Sequence, residues 1–262
     1  MANARESGKT ATHKILLLGD TGSGKTTQLL TLPEPRFAYL FDPNAILSLK
    51  GFDVEYEEFL PDRLNLSVKS LKKDIGDRTT THKNDLYVEW EKDFNKKLDE
   101  GFFDNFNTIA LDSATTLLDL IMDRVLTVNG RAGQWPQQDD YGPQMLAFTS
   151  IIRTLTSLNK TILVTGHIEV KQDNLTQRIF RSPMMTGRLK TKIPLLFSDI
   201  FGCETEVDSK GNKRHRIQTT PDRLTATIRT SLKNLDPFED VTLDFSKPLT
   251  TQGIGGLLKL EQ

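Results

Sequence analysis

The chain has 262 residues, of which 37% are hydrophobic and 26% charged, and its formal net charge is -1. This balance excludes a globally basic nucleic-acid-binding protein and an acidic tail protein, so any contact with nucleic acid has to be local. The single cysteine, Cys203, excludes an internal disulfide framework, and the absence of any apolar run near the ~20 residues that cross a bilayer favours a cytoplasmic protein with no membrane partner.

A polar tail, residues 1–12, is expected to precede one domain over residues 13–262. That domain opens with an apolar strand, Ile15–Leu18, which runs into a Gly-x4-Gly-Lys-Thr motif. A strand, a glycine-rich turn and helix-forming residues in this order predict a phosphate-binding loop. The predicted nucleotide-binding residues are Gly19, Asp20, Thr21, Gly22, Ser23, Gly24, Lys25, Thr26 and Thr27.

The residue types of this loop fit the chemistry of a polyphosphate. Glycines let the backbone curl so that several N–H groups point at the anion, and the start of the next helix faces the same charge. Lys25 is expected to reach the β- and γ-phosphates, and the Thr26 hydroxyl to bind Mg²⁺. A glycine-rich turn that binds nothing is the alternative, but the flanking strand and helix favour ATP and Mg²⁺ as cofactors.

Two further strands and a helix are predicted next. Arg36–Phe41 is apolar enough for a buried strand and ends on Asp42, whereas residues 53–60 alternate apolar and acidic residues as a strand near a sheet edge does. Residues 61–83 are polar and are expected to form a surface excursion. Residues 84–100 place four apolar side chains on one helical face, which predicts a helix that Gly101 ends.

A second chemical motif follows at Asn107–Ser113, a short apolar strand that ends in Asp112. A carboxylate at the tip of an apolar strand after a phosphate-binding loop is the Walker B pattern, and Asp112 is expected to hold Mg²⁺ opposite Thr26. Many strands end in a turn with Asp, so the pattern is weak alone. A helix over residues 115–128 is predicted after it.

Residues 129–143 contain three glycines and two prolines and predict a loop. Arg131, Trp135 and Tyr141 lie in this loop, and exposed aromatic rings beside a cation suit stacking and charge neutralisation on single-stranded DNA. The alternative is a loop whose Trp135 packs back into the core. The two interpretations are equally compatible with the sequence.

A helix over residues 144–158 and a buried strand over residues 161–165 lead to His167. At a strand tip on the nucleotide side, this histidine is a candidate for sensing the γ-phosphate or orienting water. A hydrogen-bonded structural histidine is the commoner case for a single observation of this kind.

The most basic stretch, residues 168–192, interleaves cations with apolar side chains. It is a candidate groove for single-stranded DNA, and a solvated hairpin is the alternative. Three strands, residues 199–207, 213–219 and 224–229, and a small closing helix are predicted to follow. The candidate DNA-binding cations of the stretch are Lys171, Arg178, Arg181, Arg188 and Lys190.

Strands that alternate with helices or long crossovers predict an α/β fold, with helices on both faces of a mostly parallel sheet and an antiparallel C-terminal flank. The nucleotide is expected beyond the carboxyl ends of the strands. The segments GDTGSGKTTQ, IALDS, TILVTGH, WPQQDDYGP and TGRLKTKIP resemble those of phage-encoded RecA-like ATPases over about residues 14–230, most closely the Sak-type single-strand-annealing recombinases.

The resemblance implies a RecA-like core, ATP-dependent binding of single-stranded DNA, annealing or strand exchange, assembly into rings or filaments, and a single-strand-binding protein as partner. Two positions depart from the pattern. Asn44 stands where RecA-like proteins carry a catalytic Glu, so either Asp42 substitutes or hydrolysis is slow. Of the late Lys-x-Arg pair only Arg229 remains, as a candidate finger that reaches the neighbouring subunit's nucleotide or as a plain surface arginine.

Three functions therefore compete. The first is a DNA-dependent ATPase and recombinase, and the second is a nucleotide-gated scaffold or switch with weak hydrolysis and no role on DNA. Asn44 favours the second, whereas Trp135 and the basic stretch favour the first. A small-molecule kinase is a weaker third, because no acceptor-binding pattern is visible.

Overall fold

The computed structural model describes residues 12–61, 85–173 and 176–259. Most of the predicted tail and nearly all of the predicted surface excursion, residues 61–83, lie outside the described residues. Within the described ranges, no helix is long and apolar enough to cross a membrane.

In the described part of the chain, eight strands form one sheet and two form a separate hairpin. The strands are β1 Lys14–Gly19, β2 Arg36–Leu40, β3 Glu55–Glu58, β4 Thr108–Asp112, β5 Thr161–Gly166, β6 Ile168–Gln172, β7 Ile179–Pro183, β8 Asp199–Val207, β9 Lys213–Gln218 and β10 Phe238–Asp240. In the large sheet the order is β10-β9-β8-β1-β5-β4-β2-β3, and the hairpin is β6-β7.

The pairing confirms the predicted fold class, an α/β fold with a mostly parallel sheet and an antiparallel flank. Strand β1 lies between β5 and β8 and is parallel to both, and β4, β2 and β3 continue the parallel part. Strands β9 and β10 are antiparallel to their neighbours. Because parallel strands end at one edge, the segments after β1, β4 and β5 meet there.

Helices cover both faces of the sheet. Alternate residues of β1 point to opposite faces, so Leu16 and Leu18 join one buried cluster while Ile15 and Leu17 join the other. The helices are α1 Leu86–Asp99, α2 Ala114–Val128, α3 Tyr141–Ser157, α4 Leu189–Lys192 and α5 Gly253–Lys259. The first cluster includes side chains of α1, α2, α3 and α4, and the second includes those of α5 and of a 3₁₀ helix, Thr26–Thr31.

The segment after the phosphate-binding loop differs from the expected α-helix, since it is a six-residue 3₁₀ helix. Its side chains serve tertiary contacts: the Gln28 amide donates to Val241 O at 2.9 Å and accepts from Ile254 N at 3.0 Å. The Thr31 hydroxyl accepts from Gly255 N at 3.0 Å. This segment is thereby fastened to α5 and the residues before it.

The predicted strand over residues 224–229 is wrong. Only an isolated bridge between Ile200 and Arg229 forms there. The Asp222 carboxylate accepts hydrogen bonds from the backbone N–H groups of Leu224 and Thr225, so the predicted strand begins as a turn. The strand that pairs with the free edge of β9 is β10 instead.

Strand β8 begins on a buried carboxylate, Asp199. Burial alone would raise the pKa of Asp199, but hydrogen bonds from His13, Ser198, Ser231 and Thr230 outweigh it and hold the pKa well below its usual range. The donor atoms lie 2.6–2.9 Å from the carboxylate. The ionised carboxylate therefore stabilises the register of β8 beside β1.

We expect Asp199→Asn to lower the free energy of unfolding at pH 7 by about 1.5–3 kcal/mol, because an amide is a poorer partner for these donors. The folded pKa is depressed, so the stabilisation is complete above the unfolded value of about 4 and is lost as the pH falls below it. Urea unfolding at pH 7 and pH 3 measures this. The difference in free energy of unfolding between Asp199→Asn and wild type should be smaller at pH 3 than at pH 7. Glu58 is exposed, so Glu58→Gln should unfold with the same free energy as wild type at pH 7.

Candidate functional site

The phosphate-binding loop leaves β1 at Gly19 and closes through a turn. Ser23 donates to Asp20 O from its backbone N–H at 3.2 Å and from its hydroxyl at 2.7 Å. Gly22 and Gly24 have φ angles of 76° and 89°, in the left-handed region that favours glycine. The glycine spacing found in the sequence is thus explained by backbone conformation.

The Lys25 ammonium group folds back over the start of the loop. Its Nζ donates to Gly19 O at 3.0 Å and to Asp20 O at 2.8 Å. Burial lowers the pKa of Lys25, and the nearby carboxylates of Asp112 and Asp42 partly offset this. A partly desolvated cation at this position attracts an anion more strongly than an exposed one does.

Asp112 ends β4 and lies against the loop. The Thr26 hydroxyl donates to its carboxylate at 2.7 Å, and the Thr165 hydroxyl of β5 donates to the other oxygen. Burial is the largest influence on Asp112 and raises its pKa, whereas these two hydrogen bonds and the charge of Lys25 act in the opposite direction. A hydroxyl and a carboxylate side by side, next to a buried lysine, suit Mg²⁺ bound to a polyphosphate.

Asp42 follows β2 at the same edge, and the Thr116 hydroxyl of α2 donates to its carboxylate. Asn44, at the position where a Glu is expected, has φ of 67° and directly precedes the 3₁₀ helix Ala45–Ser48. Asn is among the few residues that adopt the left-handed region readily, so the local backbone favours Asn over Glu here. Asp119 of α2 lies near Asp42, and burial followed by neighbouring carboxylates raises its pKa.

The structure puts His167 and Arg229 in different settings. His167 follows β5 and is half-buried, with its backbone N–H bonded to the Thr115 hydroxyl at 3.0 Å. The Arg229 guanidinium donates to Pro194 O at 3.1 Å and Phe197 O at 2.6 Å within its own chain. Its proposed contact with a neighbouring subunit stays a prediction.

Trp135 is 92% exposed, which excludes the alternative in which it packs back into the core. Tyr141, at the start of α3, is 36% exposed. Arg131 of the same loop instead pairs with the carboxylate of Asp140, which is fully buried and also accepts from Asn129 and from Gln137 N. The arginine therefore fixes the loop that presents the tryptophan.

The basic stretch is a hairpin, β6–β7, followed by α4, and most of its cations have partners. Lys171 and Lys190 both pair with Glu169, and Arg181 pairs with Glu204 at 2.6 Å. Arg178 donates to Arg223 O at 2.6 Å. Within the described residues, Arg188 alone of the five candidates has no side-chain hydrogen bond or ion pair.

Several residues of the site were not found from the sequence. The hydroxyls of Thr165 and Thr116 donate to the carboxylates of Asp112 and Asp42. In the sequence, only their position near the ends of predicted strands could have indicated this role. The antiparallel flank also reaches the loop: Lys213 Nζ lies 3.1 Å from Gly22 O, and His215 Nδ1 lies 3.0 Å from Ser23 O. Cys203 is buried, and its thiol donates to Ser23 O at 2.9 Å.

A family model described as an AAA domain matches residues 11–230. The chain belongs to this AAA-domain family. It is therefore a P-loop ATPase, a class whose members bind a nucleotide and usually Mg²⁺. No curated protein matches the chain.

Solved structures of low identity are also similar to this AAA-domain protein. A KaiC-like protein from the archaeon Pyrococcus horikoshii OT3 is 11% identical, with 90% of this chain and 87% of that chain covered and a TM-score of 0.42. The flagellar accessory protein FlaH from Methanocaldococcus jannaschii is 15% identical, with 95% and 90% covered and a TM-score of 0.40. Function therefore has to be inferred from the residues of the site.

We expect Gly19→Ala to destabilise the protein by about 1–3 kcal/mol, because the added Cβ would lie 2.4 Å from the backbone oxygen of Cys203. Gly142→Ala is the matched control, since no atom lies within 4 Å of its Cβ and the residue is helical. That substitution should leave stability unchanged or raise it by up to about 1 kcal/mol. Chemical denaturation measures the stability of both variants. A Gly19→Ala variant as stable as wild type would contradict the close packing of β1 against β8.

Proposed function

We propose that the protein is a RecA-like recombination ATPase of the phage type that uses MgATP and acts on single-stranded DNA, by annealing or strand exchange. The convergence of three residues supports the nucleotide part. Thr26 and Asp112 are joined by a 2.7 Å hydrogen bond, and Lys25 precedes Thr26 in the loop. Membership of the AAA-domain family supports the same assignment.

Each residue has a role in this proposal. Lys25 binds the β- and γ-phosphates, Thr26 is a direct Mg²⁺ ligand, and Asp112 holds the same ion through water. Asp42 orients the attacking water in place of the missing Glu, and His167 senses the γ-phosphate. The backbone N–H groups of the loop, with the side chains of Thr21 and Thr27 beside it, complete the phosphate cradle.

The exposure of Trp135 is the observation that supports DNA binding. A ring that is 92% exposed is open for stacking on a base, which contributes about 1–3 kcal/mol. Tyr141 and Arg188 supply a second ring and a cation without a partner in the described chain. The other candidate cations would exchange carboxylate or carbonyl partners for phosphate; they are Arg131, Lys171, Arg178, Arg181 and Lys190.

The proposal extends to assembly. By the resemblance, the active form is a ring or filament of identical subunits, and a single-strand-binding protein hands over the DNA. Arg229 then leaves the carbonyl groups of Pro194 and Phe197 to reach the neighbouring subunit's nucleotide. Light scattering with and without MgATP tests this, and a monomer under both conditions would contradict it.

Asn44 favours a second candidate, a nucleotide-gated scaffold that binds ATP and hydrolyses it slowly. Its amide cannot accept a proton from water, and the left-handed backbone at this position disfavours a Glu in its place. Here ATP would act by holding one conformation and by presenting a protein-binding surface.

Turnover separates the two candidates. For the recombinase, we expect ATP hydrolysis that rises severalfold on adding a single-stranded oligonucleotide and that is lost in Lys25→Ala, because the phosphates lose their cation. Phosphate release measures it, and calorimetry measures ATP binding. ATP binding that is lost in Lys25→Ala, with no turnover and no response to DNA, would contradict the recombinase and support the scaffold.

The two tryptophans give a direct test of DNA binding, because Trp90 is 1% exposed and Trp135 is 92% exposed. We expect single-stranded DNA to quench the emission of wild type but not of Trp135→Phe. In Trp135→Ala, the dissociation constant from the anisotropy of a labelled oligonucleotide should rise about 5- to 150-fold. Unchanged affinity in Trp135→Ala would remove this loop from the DNA site.

A further inference from the structure

The carbonyl oxygen of Ser23 accepts two hydrogen bonds from behind the phosphate-binding loop. The Cys203 thiol of β8 donates to it at 2.9 Å, and the Nδ1 atom of His215 on β9 lies 3.0 Å away. Both the cationic ring and the neutral ring protonated at Nδ1 can donate this bond. Neither contact belongs to the loop motif itself.

The orientation of one peptide group follows from these bonds. A trans peptide is planar, so its C=O and N–H point in opposite directions. With the Ser23 carbonyl held toward β8 and β9, the N–H of Gly24 points to the other side of the loop. Within the described part of the chain, this N–H has no hydrogen-bond partner.

The two donors are themselves fixed. Burial raises the pKa of Cys203 to about 11, so the thiol keeps the proton that it donates. The backbone of His215 is held on both sides, since its N–H donates to the Thr242 hydroxyl at 2.8 Å and its carbonyl accepts from Val241 N at 2.8 Å. A Cβ at Gly24 would lie 3.0 Å from His215 Nδ1, so the ring packs directly on the loop.

We infer that Cys203 and His215 are positioning residues of the nucleotide site, which hold the Ser23–Gly24 peptide with its N–H aimed at the phosphates. This inference rests on the proposed binding of MgATP. A loop whose N–H groups are already aligned loses less conformational entropy on binding, so it binds the phosphates more tightly. The effect should be equal for ATP and ADP, because both carry the α- and β-phosphates that such a loop cradles.

A matched pair of substitutions tests the inference at His215. The amide nitrogen of Asn can occupy the place of Nδ1, whereas that of Gln occupies the place of Nε2 and reaches too far. We expect His215→Gln and His215→Ala to weaken binding of ADP and ATP by about tenfold, and His215→Asn to restore most of the affinity. Cys203→Ala should weaken both nucleotides likewise, and Cys203→Ser, which keeps a donor, should weaken them less.

Calorimetry below the melting temperature of every variant measures these affinities, so that loss of folding does not enter. Arg214→Ala is the control, because its side chain is half exposed and pairs with Asp208 and Asp240 away from the loop. Affinities of His215→Ala and Cys203→Ala equal to wild type, with binding still lost in Lys25→Ala, would overturn this inference alone. A wild-type protein that binds neither nucleotide would overturn the proposed function.

Discussion

A buried carboxylate links the sheet to the phosphate-binding loop. Asp112 is 4% exposed, and its two oxygens accept hydrogen bonds from the hydroxyls of Thr26 on the loop and Thr165 on the neighbouring strand. A buried carboxylate is costly unless such donors satisfy it. The donors are in reach only while β1, β5 and β4 keep their parallel register, so the arrangement that forms the fold also assembles the site.

Much of this could be predicted from the sequence, because the signals were local. The glycine spacing before Lys25 is fixed by backbone angles within a few residues, and the apolar run before Asp112 is fixed by burial on both faces of a parallel sheet. The alternation of strands with helices predicted a mostly parallel sheet, in which the carboxyl ends of β1, β4 and β5 lie at one edge.

The remainder depends on partners that are distant in sequence. Thr165 meets Asp112 from 53 positions away, and Thr116 meets Asp42 from 74 positions away. The partners of charged residues could not be predicted for the same reason. The candidate DNA-binding residue Arg181 pairs with Glu204 of β8, and no local sequence pattern indicates that β8 lies beside the β6–β7 hairpin. Composition predicts how many charges a segment carries, but tertiary structure decides which of them remain open to a ligand.

The fastening of the 3₁₀ helix Thr26–Thr31 has a consequence for biosynthesis. Gln28 bonds to Val241 and Ile254, 213 and 226 residues further along the chain. The N-terminal part of a chain leaves the ribosome first, so the 3₁₀ helix is synthesised early, whereas the residues that pack on it are synthesised late. Until translation has passed Leu258, Leu29 and Leu30 lack part of the apolar cluster that they join in the folded protein. A nascent chain therefore carries the nucleotide motif before the nucleotide site is complete.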